Sequence, residues 1–266
     1  MSKIKFYCIT NKKVNFLKAQ EYNLAWVGKD EVPKNYLTCD KDDNIYHKEQ
    51  FYSELTFQYW YWKNLLHLEH KDQWVGFCQK RRYWVNTDET KKINKLNLNE
   101  YLIKETPKDW TNYDAIICKP IKVYGAKKTK IFKRGWRNII KDPLVLFSEK
   151  KQNISLHFDM HHGYNNLKKA IQKLDNNNKK NFEFFVKNQN TFNPHIMFIA
   201  KPDIIEDWFK SLFVWLEKCE EEFKQEDLIG YDTGRLFAYL AERYLSYWFN
   251  QNLKCKEENW VQLENF

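Results

Sequence analysis

The sequence predicts an α/β fold: a single domain in which a mostly parallel central sheet is flanked by helices and followed by C-terminal helices. Short apolar stretches that alternate with polar residues recur along the chain, and longer stretches with helical spacing separate them. The length of 266 residues suits one domain of this class. A hydrophobic content of 43%, with 11 Trp, indicates a packed core rather than a disordered chain.

The first strands are predicted near the N-terminus. Residues 3–10 alternate apolar and polar side chains and predict a strand rather than an export signal, and residues 22–27 predict a second strand. The polar residues Thr10, Asn11 and Lys12 end the first strand and begin the loop after it. Because open α/β sheets bind ligands at the carboxyl ends of their strands, these residues are candidate substrate contacts.

The next segments predict a polar loop followed by an aromatic helix. Residues 40–49 are polar and acidic, as in a loop, and residues 52–66 have helical spacing with Ser53 placed to cap the start. The side chains expected to face the core from this helix are Leu55, Tyr59, Trp62 and Leu66.

The second half of the chain continues the alternation. Further strands are expected at 73–78, 115–118 and 195–200, and a helix from Pro202 to about residue 222. Asp232 is placed to cap a last helix that runs to about residue 250. The low-complexity stretch 175–181 predicts a surface connection, and the residues after 253 predict a tail. Residues 1–266 are therefore interpreted as one domain, with a basic segment over 121–165 that could be mobile and a C-terminal helical part over 203–252.

Charge and absent motifs narrow the function. A formal net charge of +9 favours an anionic partner, namely a nucleotide, a phosphate, a membrane surface or a nucleic acid, although solubility alone could explain it. The sequence contains no GxGxxG, GxxxxGK[ST], HExxH or GxSxG motif, so dinucleotide-binding, P-loop, metalloprotease and serine-hydrolase functions lose their usual support. The six cysteines form no CxxC pair, which is typical of reduced thiols in a cytoplasmic protein.

Four blocks of residues together resemble a bacterial family first described as a domain of unknown function, which includes galactofuranosyltransferases of O-antigen and capsule assembly. The blocks lie at 43–64 (DNI, YSELT, YWYWKN), at 75–84 (VGF, RRYW), at 113–117 (YDAII) with His161-His162 downstream, and at 197–243 (MFI, RLFAYLAER). The resemblance implies a GT-A-like glycosyltransferase fold and transfer of galactofuranose from UDP-galactofuranose, with inversion, to a lipid-linked surface glycan. This chain has Gln79-Lys80 where the family usually has His-Tyr, so another UDP- or GDP-linked sugar, such as a heptose or an N-acetylhexosamine, stays an alternative.

The resemblance also bears on the use of a metal. A GT-A enzyme normally ends one strand of its sheet in an Asp-X-Asp pair that holds a divalent metal against the donor diphosphate. Here the strand at 73–78 leads to Arg81 and Arg82, whose guanidinium groups suit phosphate oxygens. We therefore expect donor binding without a metal cofactor, with a structural ion pair as the alternative role of the arginines. The alternative site for Mg²⁺ or Mn²⁺ is formed by Asp40, Asp42 and Asp43.

Other polar residues are candidates for catalysis or substrate binding, each with a structural alternative. An inverting transfer needs a base that takes the proton from the acceptor hydroxyl. Asp232 is the first candidate, because GT-A folds often place their catalytic acidic residue after the late strand and helix; its alternative role is the helix cap. The other candidate bases are Asp159 and Glu242. The further candidate substrate contacts are Asp43, Asn44, Glu54, Lys63, His161, His162 and Arg235, the last of which could pair with Glu242 on one helix face.

The basic segment suggests where the protein works. Residues 127–141 interleave seven basic residues with five large apolar ones, a mixture suited to an anionic membrane surface, where polyprenyl-diphosphate-linked acceptors reside. A solvated basic loop over the donor site is the alternative. We expect a cytoplasmic protein, peripheral on the inner membrane as an open alternative, whose partners are a nucleotide-diphosphate sugar and a lipid-linked glycan. Two rival classes are a non-catalytic scaffold and a nucleic-acid-binding module, and we expect no nucleic-acid partner because the aromatics have core spacing.

Overall fold

The computed structural model describes residues 2–17 and 21–264. The chain forms two compact units. Unit 1 comprises Met1–Lys119, His195–Ser211 and Trp248–Phe266, and unit 2 comprises Pro120–Pro194 and Leu212–Tyr247. That the whole chain works as one glycosyltransferase domain stays a prediction. No helix in the described ranges is both long enough and apolar enough to cross a membrane.

The elements alternate along the chain. The strands are β1 (Lys5–Thr10), β2 (Tyr22–Trp26), β3 (Leu37–Thr38), β4 (Val75–Gln79), β5 (Arg82–Trp84), β6 (Ala115–Cys118), β7 (Ile121–Lys122), β8 (Thr191–Phe192), β9 (Phe198–Ala200), β10 (Cys255–Glu258) and β11 (Trp260–Gln262). The α-helices are α1 (Glu49–Tyr52), α2 (Leu55–Asn64), α3 (Leu98–Tyr101), α4 (Lys128–Arg134), α5 (Trp136–Lys141), α6 (Ile154–His162), α7 (Asn166–Ile171), α8 (Asn176–Asn188), α9 (Pro202–Glu220), α10 (Tyr231–Gly234) and α11 (Leu236–Asn252).

The large sheet belongs to unit 1 and has the strand order β10-β6-β9-β4-β1-β2-β3. Strand β1 pairs in parallel with β2 and β4, β2 with β3, and β10 with β6, whereas β9 is antiparallel to both of its neighbours. Strand β5 turns back from β4 and pairs with β11. The predicted α/β fold, with a mostly parallel central sheet flanked by helices, is confirmed.

The side chains of strand β1 alternate between the two faces of the sheet, and both faces are buried. On one face Phe6 stacks on Tyr22, with ring centroids 5.0 Å apart. On the other face Tyr7 packs against Tyr61 of α2 at 4.9 Å. The neighbouring strand leaves room for these rings, since a β carbon at Gly76 would lie 2.4 Å from the ring of Phe6.

Helix α2 differs from its prediction. Ser53 is not its cap: this residue has φ 52°, and it is the Ser53 carbonyl that accepts a 2.8 Å hydrogen bond from the Thr56 hydroxyl. The predicted stripe is correct at Leu55 and Leu66, which are buried, and wrong at Tyr59 and Trp62, which are only half-buried. The helix is buried over more than a stripe, since the side chains between these positions are also in the core: Thr56, Phe57, Gln58, Trp60 and Tyr61.

The structure also corrects three predictions for the second half. The predicted tail is wrong for residues 255–262, since β10 and β11 complete the sheet of unit 1, and its last two residues, 265 and 266, lie outside the described ranges. The stretch 175–181 is not a connection but the start of α8, where the Asp175 carboxylate accepts from the amides of Asn177 (3.1 Å) and Asn178 (3.0 Å). Asp232 is not a cap either, because it lies inside the short helix α10, which ends before α11 begins.

Unit 2 is mainly helical. The basic segment 121–165 contains α4, α5 and α6, with the short strand β7 paired to β8. A small apolar cluster holds α4 and α6 together, and it is formed by Ile131, Val145, Leu146, Leu156 and Met160.

Candidate active site

The carboxyl ends of three neighbouring strands meet at one edge of the sheet in unit 1. Because β1, β2 and β4 are parallel, their last residues Thr10, Trp26 and Gln79 point the chain toward the same edge. The loop after β1 is closed by Thr10, whose hydroxyl donates to the Lys12 carbonyl (2.6 Å) and accepts from the Lys12 amide (3.0 Å). The predicted contacts Thr10, Asn11 and Lys12 therefore lie at the edge where such sheets bind ligands.

A cationic hairpin stands at the same edge. Residues 80 and 81 connect β4 to the antiparallel β5, and the Lys80 ammonium donates to the side-chain oxygen of Asn11. Arg82 is half-buried and donates from one terminal nitrogen to Gln79 (2.6 Å), while its buried Nε has no partner among the described residues. Lys80 thus brings positive charge next to the loop after β1, and Arg81 follows it in the connection to β5.

The acidic loop before α2 is held by its own hydrogen bonds. Asp42 has φ 57°, and the Asn44 amide bridges the Asp42 carbonyl (2.9 Å) and the Tyr46 amide (3.0 Å). Asp43 accepts from the Tyr59 hydroxyl at 3.2 Å. This geometry favours turn chemistry for Asp43 and Asn44 over direct substrate contact.

Two more predicted substrate contacts, Glu54 and Lys63, also lie in unit 1. Glu54 precedes α2 and is half-buried, whereas Lys63 is exposed and its ammonium lies 3.6 Å from the ring centroid of Trp62.

No three His, Cys, Asp or Glu side chains within 2–17 and 21–264 come together in a group that could hold a metal ion. The metal independence of donor binding stays a prediction.

In unit 2, helix α6 gathers three histidines around a buried arginine. Arg243 of α11 lies 3.8 Å from the ring of Phe192 and forms an ion pair with Glu242. One of its terminal nitrogens is 3.4 Å from His157 Nδ1. The imidazole rings of His157 and His161 have centroids 4.7 Å apart. The predicted residues Glu242 and His161 therefore belong to one cluster, through the unpredicted His157 and Arg243.

Asp232 and His162 lie at the end of the same cluster. The Asp232 carboxylate is 3.4 Å from Arg134, and its side chain is 56% exposed. His162 Nδ1 is 3.3 Å from the Asp232 carbonyl, and its ring stacks on Tyr239 at 3.8 Å. Arg235 connects α10 to α11, and the ion pair of Glu242 is formed with Arg243 rather than with Arg235.

Asp159 is held away from this cluster. Its two carboxylate oxygens accept from the Asn138 side chain (3.0 Å) and from the Asn165 amide (2.9 Å). Burial raises its pKa, and these two hydrogen bonds oppose that effect. The contacts indicate that Asp159 ties α6 to α5 and to the start of α7.

The histidines of the cluster are uncharged at neutral pH. Burial, followed by the charge of Arg243, lowers the pKa of His157 to about 2 and that of His162 to about 3. Burial, with Lys130 and Arg134, lowers the pKa of His161 to about 4. Each ring therefore becomes cationic only under acidic conditions.

Sequence reasoning missed the residues that connect the predicted ones. The sequence pattern marks Lys80 only as a departure from the family, whereas in the structure its ammonium contacts Asn11 in the loop after β1. The spacing of His157 and His161, one helical turn apart on α6, is a signal that the sequence offered. The contact of Arg243 with His157 spans 86 residues and has no local signal.

Comparison with known proteins places the chain in a family. A family model described as a domain of unknown function, DUF4422, matches residues 5–253. The chain belongs to this family. The resemblance is thus confirmed at the level of the family, whereas the galactofuranosyl specificity stays a prediction.

A solved structure is similar to this chain in fold. The apo structure of WbbM, a bifunctional glycosyltransferase, superimposes with a TM-score of 0.68 over 99% of this chain at 20% sequence identity. This chain covers 46% of that chain, so it spans less than half the length of WbbM. A search of the curated proteins finds no match.

The low histidine pKa values predict a stability that falls on acidification. A group whose folded pKa lies below its unfolded value of 6.5 stabilises the fold at higher pH and loses this contribution as pH falls below 6.5. We expect the free energy of unfolding to fall as the pH is lowered from 7 to 5. In His157→Gln, the dependence of this free energy on pH should be smaller by about 1.4 kcal/mol per pH unit below pH 6. Denaturant unfolding at each pH measures both.

The matched control is His67→Gln, because His67 is exposed in unit 1. In this variant, the change of unfolding free energy with pH should equal that of the wild type. The raised pKa of Asp159 has the opposite effect on stability, but Asp159 is present in every variant, so its contribution cancels in the comparison. An unchanged slope in His157→Gln would show that His157 does not carry the acid sensitivity.

Proposed function

We propose that this chain is a glycosyltransferase whose nucleotide-diphosphate donor binds at the carboxyl edge of the sheet in unit 1. The observation that carries the proposal is the convergence of the loop after β1 with the cationic β4–β5 hairpin, at the edge where open α/β sheets bind ligands. The family membership and the likeness to the WbbM fold support the same activity.

The donor phosphates would be bound by cations of the hairpin. Lys80 is already oriented by its hydrogen bond to Asn11, and Arg81 follows it at the tip. A guanidinium can donate two parallel hydrogen bonds to phosphate oxygens and neutralise the leaving nucleotide. Arg82 is partly engaged with Gln79, so Arg81 is the arginine that we assign to the phosphates. On this proposal no divalent metal is needed.

The finer assignment rests on the family resemblance. UDP-galactofuranose is the proposed donor, and a polyprenyl-diphosphate-linked glycan of capsule or O-antigen assembly is the proposed acceptor, with inversion at the transferred sugar. Another UDP- or GDP-linked sugar is the alternative, because Gln79 and Lys80 replace the residues usual in the family.

Among the three candidate bases, the contacts favour Asp232. Glu242 forms an ion pair with the buried Arg243. Asp159 accepts two hydrogen bonds, which connect α6 to α5 and to the start of α7. Asp232 keeps an exposed carboxylate beside Arg134. A base must reach its substrate. Of the three candidates, Asp232 is the one whose carboxylate is exposed and is paired only with the partly exposed Arg134 among the described contacts.

Five large apolar side chains of unit 2 are exposed in a basic segment, which supports an anionic lipid surface as partner. They are Phe132 (56% exposed), Trp136 (51%), Ile140 (73%), Leu144 (56%) and Phe147 (73%). Basic groups lie beside them: Lys128 is 4.7 Å from the Phe147 ring, and Arg137 is 5.2 Å from the Trp136 ring. Apolar rings flanked by cations suit the headgroup region of an anionic bilayer.

Donor binding is the first test of the proposed function. We expect UDP to bind with micromolar affinity by calorimetry, to keep binding in EDTA, and to lose about 1.5–3 kcal/mol of binding free energy in Arg81→Ala, the scale of a hydrogen bond to a charged group. Lys108→Ala, at an exposed cation of unit 1 away from this edge, is the control and should bind UDP like the wild type.

Two outcomes would contradict this assignment. Loss of UDP binding in EDTA with rescue by Mn²⁺ would contradict metal-free binding of the donor phosphates by the hairpin. Tight, sequence-selective binding of nucleic acid, in place of weak and salt-sensitive binding, would overturn the enzyme function.

Replacing the proposed base separates catalysis from structure. Asp232→Asn should lower turnover by about 10²–10⁴-fold with UDP affinity and melting temperature nearly unchanged, because the amide keeps the shape and cannot accept a proton. Glu242→Gln is the comparison variant and should lower the melting temperature, since it leaves the buried Arg243 without its counter-charge. Near-normal turnover in Asp232→Asn would exclude it as the base.

Vesicle flotation tests the lipid partner. Trp136→Ser combined with Phe147→Ser should lower partitioning onto anionic vesicles by about tenfold or more, because each buried ring contributes about 1.5–3 kcal/mol. Phe184→Ser is the matched control, since Phe184 is 69% exposed on α8 outside the basic segment. Equal flotation of the double variant and the wild type would mean that this segment does not dock on lipid.

A further inference from the structure

Beside α6, unit 2 contains a cavity of about 200 Å³ that the proposed donor site does not use. The polar side chains that line it are those of Lys122, Tyr124, Lys130, Gln152, His157 and His161. None of these residues carries a carboxylate. The volume is below the roughly 300–1,000 Å³ of pockets that enclose whole organic ligands, so it suits a small group rather than a nucleotide sugar.

The arginines around the cavity fix the protons of its two histidines. Arg243 lies 3.4 Å from His157 Nδ1, and Arg134 lies 3.4 Å from His161 Nδ1. A guanidinium can only donate hydrogen bonds, so both Nδ1 atoms must accept. A neutral imidazole carries one proton, which therefore sits on Nε2 in both rings. Each histidine is a hydrogen-bond donor at the nitrogen that the arginines leave open.

The charges around the cavity do not cancel. Arg134 is paired with Asp232 and Arg243 with Glu242, whereas Lys130 forms no salt bridge with any residue in the described ranges. The positive potential also acts on the rings, since Lys130 helps to lower the pKa of His157 and of His161. An anion placed among these groups would offset that potential and accept from the open imidazole donors.

We propose that this cavity is a second anion site, which binds the phosphate or diphosphate group of a substrate. Oxyanions with several acceptor oxygens match a lining of ammonium and imidazole donors without carboxylates. The group could belong to a nucleotide or to a prenyl-linked acceptor, since both carry the same diphosphate chemistry. Only the identity of the molecule that carries the phosphate rests on the proposed function. The anion site itself is inferred from the cavity lining and the arginine–histidine contacts of unit 2.

The test uses inorganic pyrophosphate and protein labelled with ¹³C at histidine. Resonances of His157 and His161 should shift in a saturable way, because the ligand meets their Nε2 protons. Lys130→Gln should weaken pyrophosphate binding by about tenfold or more, the scale of one lost hydrogen bond to a charged group. Lys133→Gln removes the same charge from the same helix outside the cavity lining, and should change the affinity by less than about twofold.

The outcomes are distinguishable. Unshifted histidine resonances, or an equal loss in Lys133→Gln, would overturn the anion site. UDP and geranyl diphosphate are then compared as competitors: displacement of pyrophosphate by one identifies the source, and displacement by neither overturns the substrate assignment. If UDP fails to bind the wild type while pyrophosphate still shifts the histidines, the proposed donor site of unit 1 fails and this site stands.

Discussion

The placement of strand β1 is the constraint on which the candidate donor site depends. The strand is paired in parallel on both edges, with β2 and β4, and its side chains pack on both faces, with Phe6 against Tyr22 and Tyr7 against Tyr61. Its register therefore cannot shift by one residue without exchanging the two faces. This fixes where β1 ends, and so fixes the position of Asn11 relative to Lys80 of the hairpin.

In unit 2 the corresponding constraint is the buried guanidinium of Arg243. A charge taken out of water must be paired and hydrogen-bonded, and here Glu242 supplies the counter-charge and His157 an acceptor. The charge of Arg243 helps to keep the histidines neutral, and its contact with His157 Nδ1 defines the tautomer of that ring. A buried ion pair thereby sets the donor chemistry of the neighbouring cavity.

Local patterns predicted the elements whose causes are local. Strand β6 agrees with its predicted bounds, and α9 begins at Pro202 as expected because proline fits the first turn of a helix. One error has a long-range cause, since β10 pairs with the distant β6. Two others are local: Ser53 takes a positive φ between α1 and α2, and Asp175 caps α8. Of the candidate site, the sequence could indicate the basic hairpin and the histidine pair, but the Lys80–Asn11 and Arg243–His157 contacts join residues 69 and 86 positions apart.

The central claim is that a nucleoside diphosphate binds where the loop after β1 meets the β4–β5 hairpin. Hydrogen exchange with and without saturating UDP measures this directly, because amides that contact or lie under a ligand exchange more slowly. Protection concentrated in peptides that cover 10–13 and 79–82 is the result that the account predicts. Protection confined to other segments, with these two peptides exchanging at the unliganded rate, would contradict it.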